Sequence, residues 1–139
     1  MPVTSSVENE SAVTAGLQHI SGLEALNLLK AGAALVDVRP DYELNRLFDV
    51  DEVLYCPYDE IRNHVMDLPS DQVLIIADAV GLRSKEVAGF LMETGFTKIY
   101  NLAGGIVDWD RGGYPVTTDK TRMMTGSCMC MLRNRHKKP

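Results

Sequence analysis

The chain is poor in cysteine, has no long apolar run and holds no Lys or Arg in its first 29 positions. Its longest apolar stretches, residues 73–77 and 128–132, are five residues each, against the roughly 20 that a membrane-spanning helix requires. A transmembrane helix is therefore not expected. No Lys or Arg precedes Lys30, and no apolar core precedes it either, so a secretory signal is not expected. The three cysteines are an odd number, and two of them, Cys128 and Cys130, stand one residue apart. That is no disulfide framework. A reducing, cytoplasmic setting is the simpler expectation.

What is present is ordinary globular composition, 45% hydrophobic and 24% charged over 139 residues, enough for one domain. The net charge of −5 hides an asymmetry. Residues 117–139 hold Lys120, Arg122, Arg133, Arg135, Lys137 and Lys138 against Asp119 alone, so this tail is +5 and the body before it −10. An acidic body argues against nucleic-acid binding, while the tail could touch an acidic surface.

Residues 1–16 are small and polar without periodicity, the pattern of a loose arm. Order is expected from Leu17. Ser21 is placed to cap a helix whose apolar positions Leu23, Leu26 and Leu29 recur at helical spacing, with Gly32 as its stop. Residues 33–38 read as a buried strand and 39–41 as a turn, after which Asp41 would cap a short helix containing Tyr42, Leu44 and Leu47. Residues 52–56 read as a strand ended by Pro57, and Asp59 could open another short helix. The clearest strand is 72–77, where Val, Leu and two Ile without alternation imply burial on both faces. Residues 84–94 then read as a helix, 98–102 as a strand and 104–112 as a short helix, with Pro115 closing the domain. Strands alternating with helices predict a parallel sheet covered on both faces. Sites on such sheets form at the carboxyl ends of strands.

The loop after Ala77 is thus the first place to look for chemistry. Six residues, Asp78, Ala79, Val80, Gly81, Leu82 and Arg83, separate the strand from the helix expected to begin at Ser84. Backbone amides in such a loop, with the helix N-terminus, form a nest that favours an anion. Gly81 lets the backbone turn, and Arg83 can brace the loop or meet an oxyanion. An ordinary strand–loop–helix corner with a surface Arg is the plain alternative.

The ordered set Leu35-Val36-Asp37-Val38-Arg39, Val73-Leu74-Ile75-Ile76-Ala77, Gly81-Leu82-Arg83-Ser84, Gly95-Phe96, Leu102-Ala103-Gly104-Gly105-Ile106 with Trp109, and Gly113 with Pro115 resembles a rhodanese domain over about residues 17–116. The resemblance implies an α/β fold, one five-stranded parallel sheet flanked by helices on both faces. It also implies sulfane-sulfur transfer through a cysteine that opens the loop, three residues before its Gly and five before its Arg. Here that position is Asp78. A carboxylate cannot hold a persulfide, since only a thiolate attacks sulfur usefully. An ionised Asp78 could instead accept the loop's amide hydrogen bonds itself, and the resemblance implies an inactive module, since Asp at this position is familiar in inactive members of the family. The family's Gly-His-Ile-Pro-Gly-Ala-like segment is also missing, replaced by residues 48–53, Phe-Asp-Val-Asp-Glu-Val. Asp37 and Arg39 match the family motif, where their role is mainly to brace the fold.

Aspartyl phosphoryl transfer at Asp78 would need a metal and a second acid, which Ala79 and Val80 do not supply. Cys56, before Pro57, reads as a small buried hydrophobe. Cys128 and Cys130 lie outside the resemblance among Met123, Met124, Met129 and Met131. Their soft ligand set suits Cu(I), the basic neighbours favour thiolate, and acylation beside a polybasic end would tether the chain to a membrane. A tail whose cysteines merely lie close is the plain reading. His136 reads as a solvated tail residue, and His19 and His64 have no recognisable partners. No metal site or cofactor is assigned. The leading expectation is a rhodanese-like domain without sulfurtransferase activity at the loop, acting as a binding or regulatory module for an unidentified protein partner. The alternative is a sulfurtransferase or persulfide carrier, with its own sulfur donor or acceptor, working through Cys128 or Cys130.

Overall fold

A computed structural model of the chain describes residues 16–118. The first element is a strand the sequence pattern did not single out, β1 (Gln18–Ile20). Helix α1 (Gly22–Lys30) follows, opened as expected by Ser21. The Ser21 hydroxyl accepts the Glu24 amide at 3.2 Å and the Glu24 carboxylate accepts the Ser21 amide at 2.9 Å, a reciprocal cap. Strand β2 (Ala34–Asp37) comes next. The short helix expected from Asp41 is only a 3-10 turn (Asp41–Glu43), preceded by Pro40 and ended at Leu44. Leu47 does not belong to it but opens a second unexpected strand, β3 (Leu47–Phe48).

The remaining order is β4 (Val53–Tyr55), α2 (Ile61–His64), β5 (Leu74–Ala77), α3 (Leu82–Glu93), β6 (Ile99–Leu102), α4 (Gly105–Arg111) and β7 (Val116–Thr117). Five strands form one parallel sheet in the order β1-β6-β5-β2-β4, and β3 with β7 makes a separate antiparallel ribbon. The ribbon pairs Leu47 with Thr117 and Phe48 with Val116. Two-residue strands carry too little periodicity to be read from sequence.

Alternation along the buried strands splits the core into two layers. Val36, Leu54, Leu74 and Ile76 pack with Val87, Ala88 and Leu91 of α3, and Cys56 lies fully buried in that same layer. On the other face Leu35, Tyr55, Ile75 and Leu102 pack with Ala25 of α1 and with Ile106 and Trp109 of α4. Trp109 meets Phe48 edge-on at 5.5 Å, and its indole N–H donates to the Pro115 carbonyl at 2.7 Å. That bond ties the end of α4 to the chain leading into β7.

β5 is the central strand, and the chain reverses its direction of travel across the sheet between β2 and β5. Asp37 and Ala77 are paired at the carboxyl ends of these two strands. Such a switch point leaves a crevice that loops can line.

Candidate functional site

The loop leaving β5 is shorter than its sequence suggests. Helix α3 begins at Leu82, so four residues, 78–81, make the turn, and Leu82, Arg83 and Ser84 form the first helical turn. Gly81 stands before the helix at φ +92°, a conformation that disfavours any side chain. A Cβ there would also come within 3.0 Å of the Gly104 nitrogen.

Gly81 has no side chain with which to cap α3. Asp78 supplies one from three residues earlier. Its carboxylate accepts the Gly81 amide at 2.5 Å and the Arg83 amide at 3.0 Å, with the residue only 3% exposed. Negative charge at that end of a helix is favourable. The Ser84 hydroxyl lies 3.2 Å from Asp78 Oδ1 and 2.5 Å from Asn101 Oδ1, and its single proton serves one of them at a time. Asn101 in turn meets His19 Nδ1 at 3.0 Å. A polar line thus runs from Asp78 through Ser84 and Asn101 to an exposed imidazole. His19, which has no recognisable partner in the sequence, gains one through this contact. Asn101, a polar residue inside the apolar strand β6, was the available signal for it.

The far side of the loop is held by backbone. The amides of Ile106 and Val107 donate to the carbonyls of Asp78 and Ala79 at 2.9 and 3.1 Å. Gly105, at φ +59°, permits this approach, since a Cβ there would collide with both carbonyl groups. The loop therefore sits between the N-termini of α3 and α4.

The Arg83 side chain reaches across to two other loops. Its guanidinium lies 4.6 Å from the centre of the Tyr58 ring and 3.3 Å from the Glu43 carboxylate, so it bridges the loops that follow β2 and β4. Below it, buried Arg39 grips the Asp37 carboxylate through Nε and Nη2, the latter at 2.8 Å. The same guanidinium donates to the Glu43 and Arg46 carbonyls at 3.1 and 2.8 Å, fixing the segment that carries Glu43. The bracing expected of Asp37 and Arg39 is what they do. Burial pushes the Asp37 carboxyl above its usual range, and the Arg39 guanidinium opposes that rise.

His64, also expected to lack a partner, has its Nδ1 3.3 Å from the Asp67 carboxylate. Cys56 is fully buried, away from solvent. Cys128, Cys130 and His136 lie outside the described residues, as do residues 1–15 of the arm expected at 1–16 and residues 119–139 of the tail expected at 117–139. Among the described residues no group of acidic, His and Cys side chains is arranged to hold a metal ion, and no helix is long and apolar enough to cross a membrane. Surface clefts of about 480 and 440 Å³ lie by Gln72, near the amino end of β5. Their lining includes Glu52, Asp67, Asp71 and Gln72, but they lie at the opposite end of the sheet from the polar loop, away from the carboxyl ends of the strands where such folds place their sites.

A parallel sheet with its polar loop clamped between two helix N-termini defines the class. Residues 21–111 match the rhodanese-like domain, and the chain belongs to that family. A sulfurtransferase of Allochromatium vinosum is 32% identical over 82 residues, covering 59% of this chain and 76% of that protein. Thiosulfate sulfurtransferase GlpE of Actinobacillus pleuropneumoniae is 27% identical over 100 residues, 71% of this chain and 92% of that one. Among solved structures, a rhodanese-related protein from Thermoplasma volcanium superposes with a TM-score of 0.66 at 26% identity, over 73% of this chain and 99% of its own. The polysulfide-sulfur transferase homodimer from Wolinella succinogenes shares the fold with a TM-score of 0.68 at 23% identity, over 81% of this chain and 88% of its own.

Proposed function

We propose that this rhodanese-like domain does not transfer sulfur at its loop and serves as a binding or regulatory module. One observation carries the reading: the Asp78 carboxylate itself accepts the Gly81 and Arg83 amides. On the resemblance set out above, Asp78 stands where the family has its cysteine. Amides that would hold a thiolate or an incoming oxyanion are then already engaged, and oxygen cannot carry sulfane sulfur. The engagement of Arg83 with Glu43 and Tyr58 supports the same reading, since the cation nearest the loop is also committed.

The similarity to proteins named sulfurtransferases supports a second reading, in which the working thiol is Cys128 or Cys130 and the chain passes sulfur between a donor and an acceptor. In both readings the setting is a reducing compartment such as the cytoplasm, with no role for nucleic acid. A membrane enters only if the tail cysteines are acylated.

A thiosulfate:cyanide transfer assay on the full chain tests this. The module reading expects no turnover. The carrier reading expects turnover, and a mass increment of one sulfur on the peptide containing Cys128 and Cys130 after exposure to a sulfane donor. Robust turnover that survives replacement of all three cysteines by Ser would overturn both.

A further inference from the structure

Seven large hydrophobic side chains among the described residues are exposed, and five of them stand on one rim: Tyr42, Tyr58, Val80, Leu82 and Val107, with exposures from 38% to 81%. Each lies just beyond the carboxyl end of a strand, after β2, β4, β5 and β6. Arg83 joins two of these loops by bridging Tyr58 and Glu43, and the Val107 amide joins two more by bonding to Ala79. The rim is therefore a set of apolar side chains on linked loops around Asp78, interrupted by the Arg83–Glu43 pair. Exposed apolar surface gathered in one place marks an interaction site.

The course of the chain indicates what covers it. Strand β7 runs antiparallel to β3, with Thr117 opposite Leu47 and Val116 opposite Phe48. From Val116 to Thr117 the chain runs in the direction of the segment before Leu47, which carries Glu43 and Tyr42. That segment is curled, because the Arg39 guanidinium holds the Glu43 and Arg46 carbonyls together. Five extended residues from Thr118 span about 17 Å and reach Met123, where the apolar stretch begins.

Residues 123–132 contain four Met, two Cys and Leu132, and they are flanked by Lys120 and Arg122 on one side and by Arg133, Arg135, Lys137 and Lys138 on the other. Methionine-rich segments adapt to irregular apolar surface. The rim's own loops carry Asp41, Glu43, Asp59 and Glu60, and the body as a whole is −10 against a tail of +5. Charge complementarity and tether length favour the chain's own tail over an outside partner.

We propose that residues 123–132 dock in cis on this rim, so that the tail's thioethers and thiols cover the mouth above Asp78 and any external partner must displace them. The inference stands whether or not the loop transfers sulfur, since it concerns what occupies the mouth.

The test uses the full chain carrying Cys130→Ser and a nitroxide on Cys128, Cys56 being buried from the reagent. Amide signals of Glu43, Tyr58, Val80 and Leu82 should lose more than half their intensity, while Gly32, Gln72 and Lys98 keep theirs. A mixture of spin-labelled chains with isotope-labelled chains lacking the spin label should show no broadening. Uniform broadening, or none, would overturn the proposal. Rim broadening that also arises in the mixture would assign the surface to a second copy and overturn docking in cis. Leu82→Ser combined with Val107→Ser should reduce the broadening at Glu43 and Tyr58 at least twofold with an unchanged unfolding midpoint. Undiminished broadening in that variant would refute the apolar contact.

Discussion

Replacing Asp78 with Cys asks whether the loop still has the electrostatics of a thiolate site. Two backbone amides, those of Gly81 and Arg83, converge on the side chain at position 78, at the N-terminus of α3. A thiol begins near pKa 8.5. Each amide that bonds a thiolate, but hardly bonds a thiol, contributes about 1–2 kcal/mol of preference for the ionised form. The pair is then worth about 2–4 kcal/mol, or about 1.5–3 units at 1.36 kcal/mol per unit. Burial works the other way and removes about one unit. The expected result is a thiol with pKa about 7, within the range of activated cysteines. It would be about half ionised at neutral pH. The assay is thiolate absorbance against pH in a Cys128→Ser, Cys130→Ser background, supported by the pH profile of alkylation. A pKa at or above 8.5 would show that the amides do not act on position 78 as their geometry requires.

Asp78→Ala leaves the Gly81 and Arg83 amides without the carboxylate, and we expect a loss of about 2–4 kcal/mol, read as a lower urea midpoint; a change under 0.5 kcal/mol would contradict the capping role. Arg39→Met removes the guanidinium that does most to hold the Asp37 carboxyl down and leaves only the backbone amide of residue 39, so that pKa rises further. A folded-state pKa raised above its unfolded value gives stability present at low pH and lost as pH rises through it. The variant should therefore lie closest to wild type near the ordinary carboxylate range and fall about 3–5 kcal/mol short at neutral pH; equal losses at acid and neutral pH would refute the assignment. Gly105→Ala forces a Cβ against the Asp78 and Ala79 carbonyls at positive φ, costing about 2–4 kcal/mol, and thermal unfolding should show it; an unchanged midpoint would mean that the α4 clamp is dispensable.

The elements that announced themselves in the sequence are those with a strong local pattern. Residues 72–77 have no alternation because β5 is covered on both faces, and Ser21 with Glu24 spells out a cap that needs nothing from the rest of the chain. The ribbon of β3 and β7 could not be read this way, since Leu47 and Thr117 are strand residues only because a segment seventy positions away lies beside them. The turn after Asp41 fell short of a helix for a related reason. The Glu43 and Arg46 carbonyls go to the Arg39 guanidinium, which competes with helical bonding. At the site, Asp78 was legible as a carboxylate able to turn into its own loop. The loop's true length was not, because Leu82 and Arg83 enter α3 on the strength of an acceptor three residues behind Gly81. His19 and Asn101 meet only through the pairing of β1 with β6.

Because the Ile106 and Val107 amides seize main-chain carbonyls of Asp78 and Ala79, the bend after β5 is upheld by atoms that every residue type possesses. The α4 side of its shape is thereby independent of the side chain at position 78, while the α3 side leans on the Asp78 carboxylate. A substitution at that spot therefore meets two different supports, a main-chain clamp that it leaves in place and a side-chain cap that it has to replace.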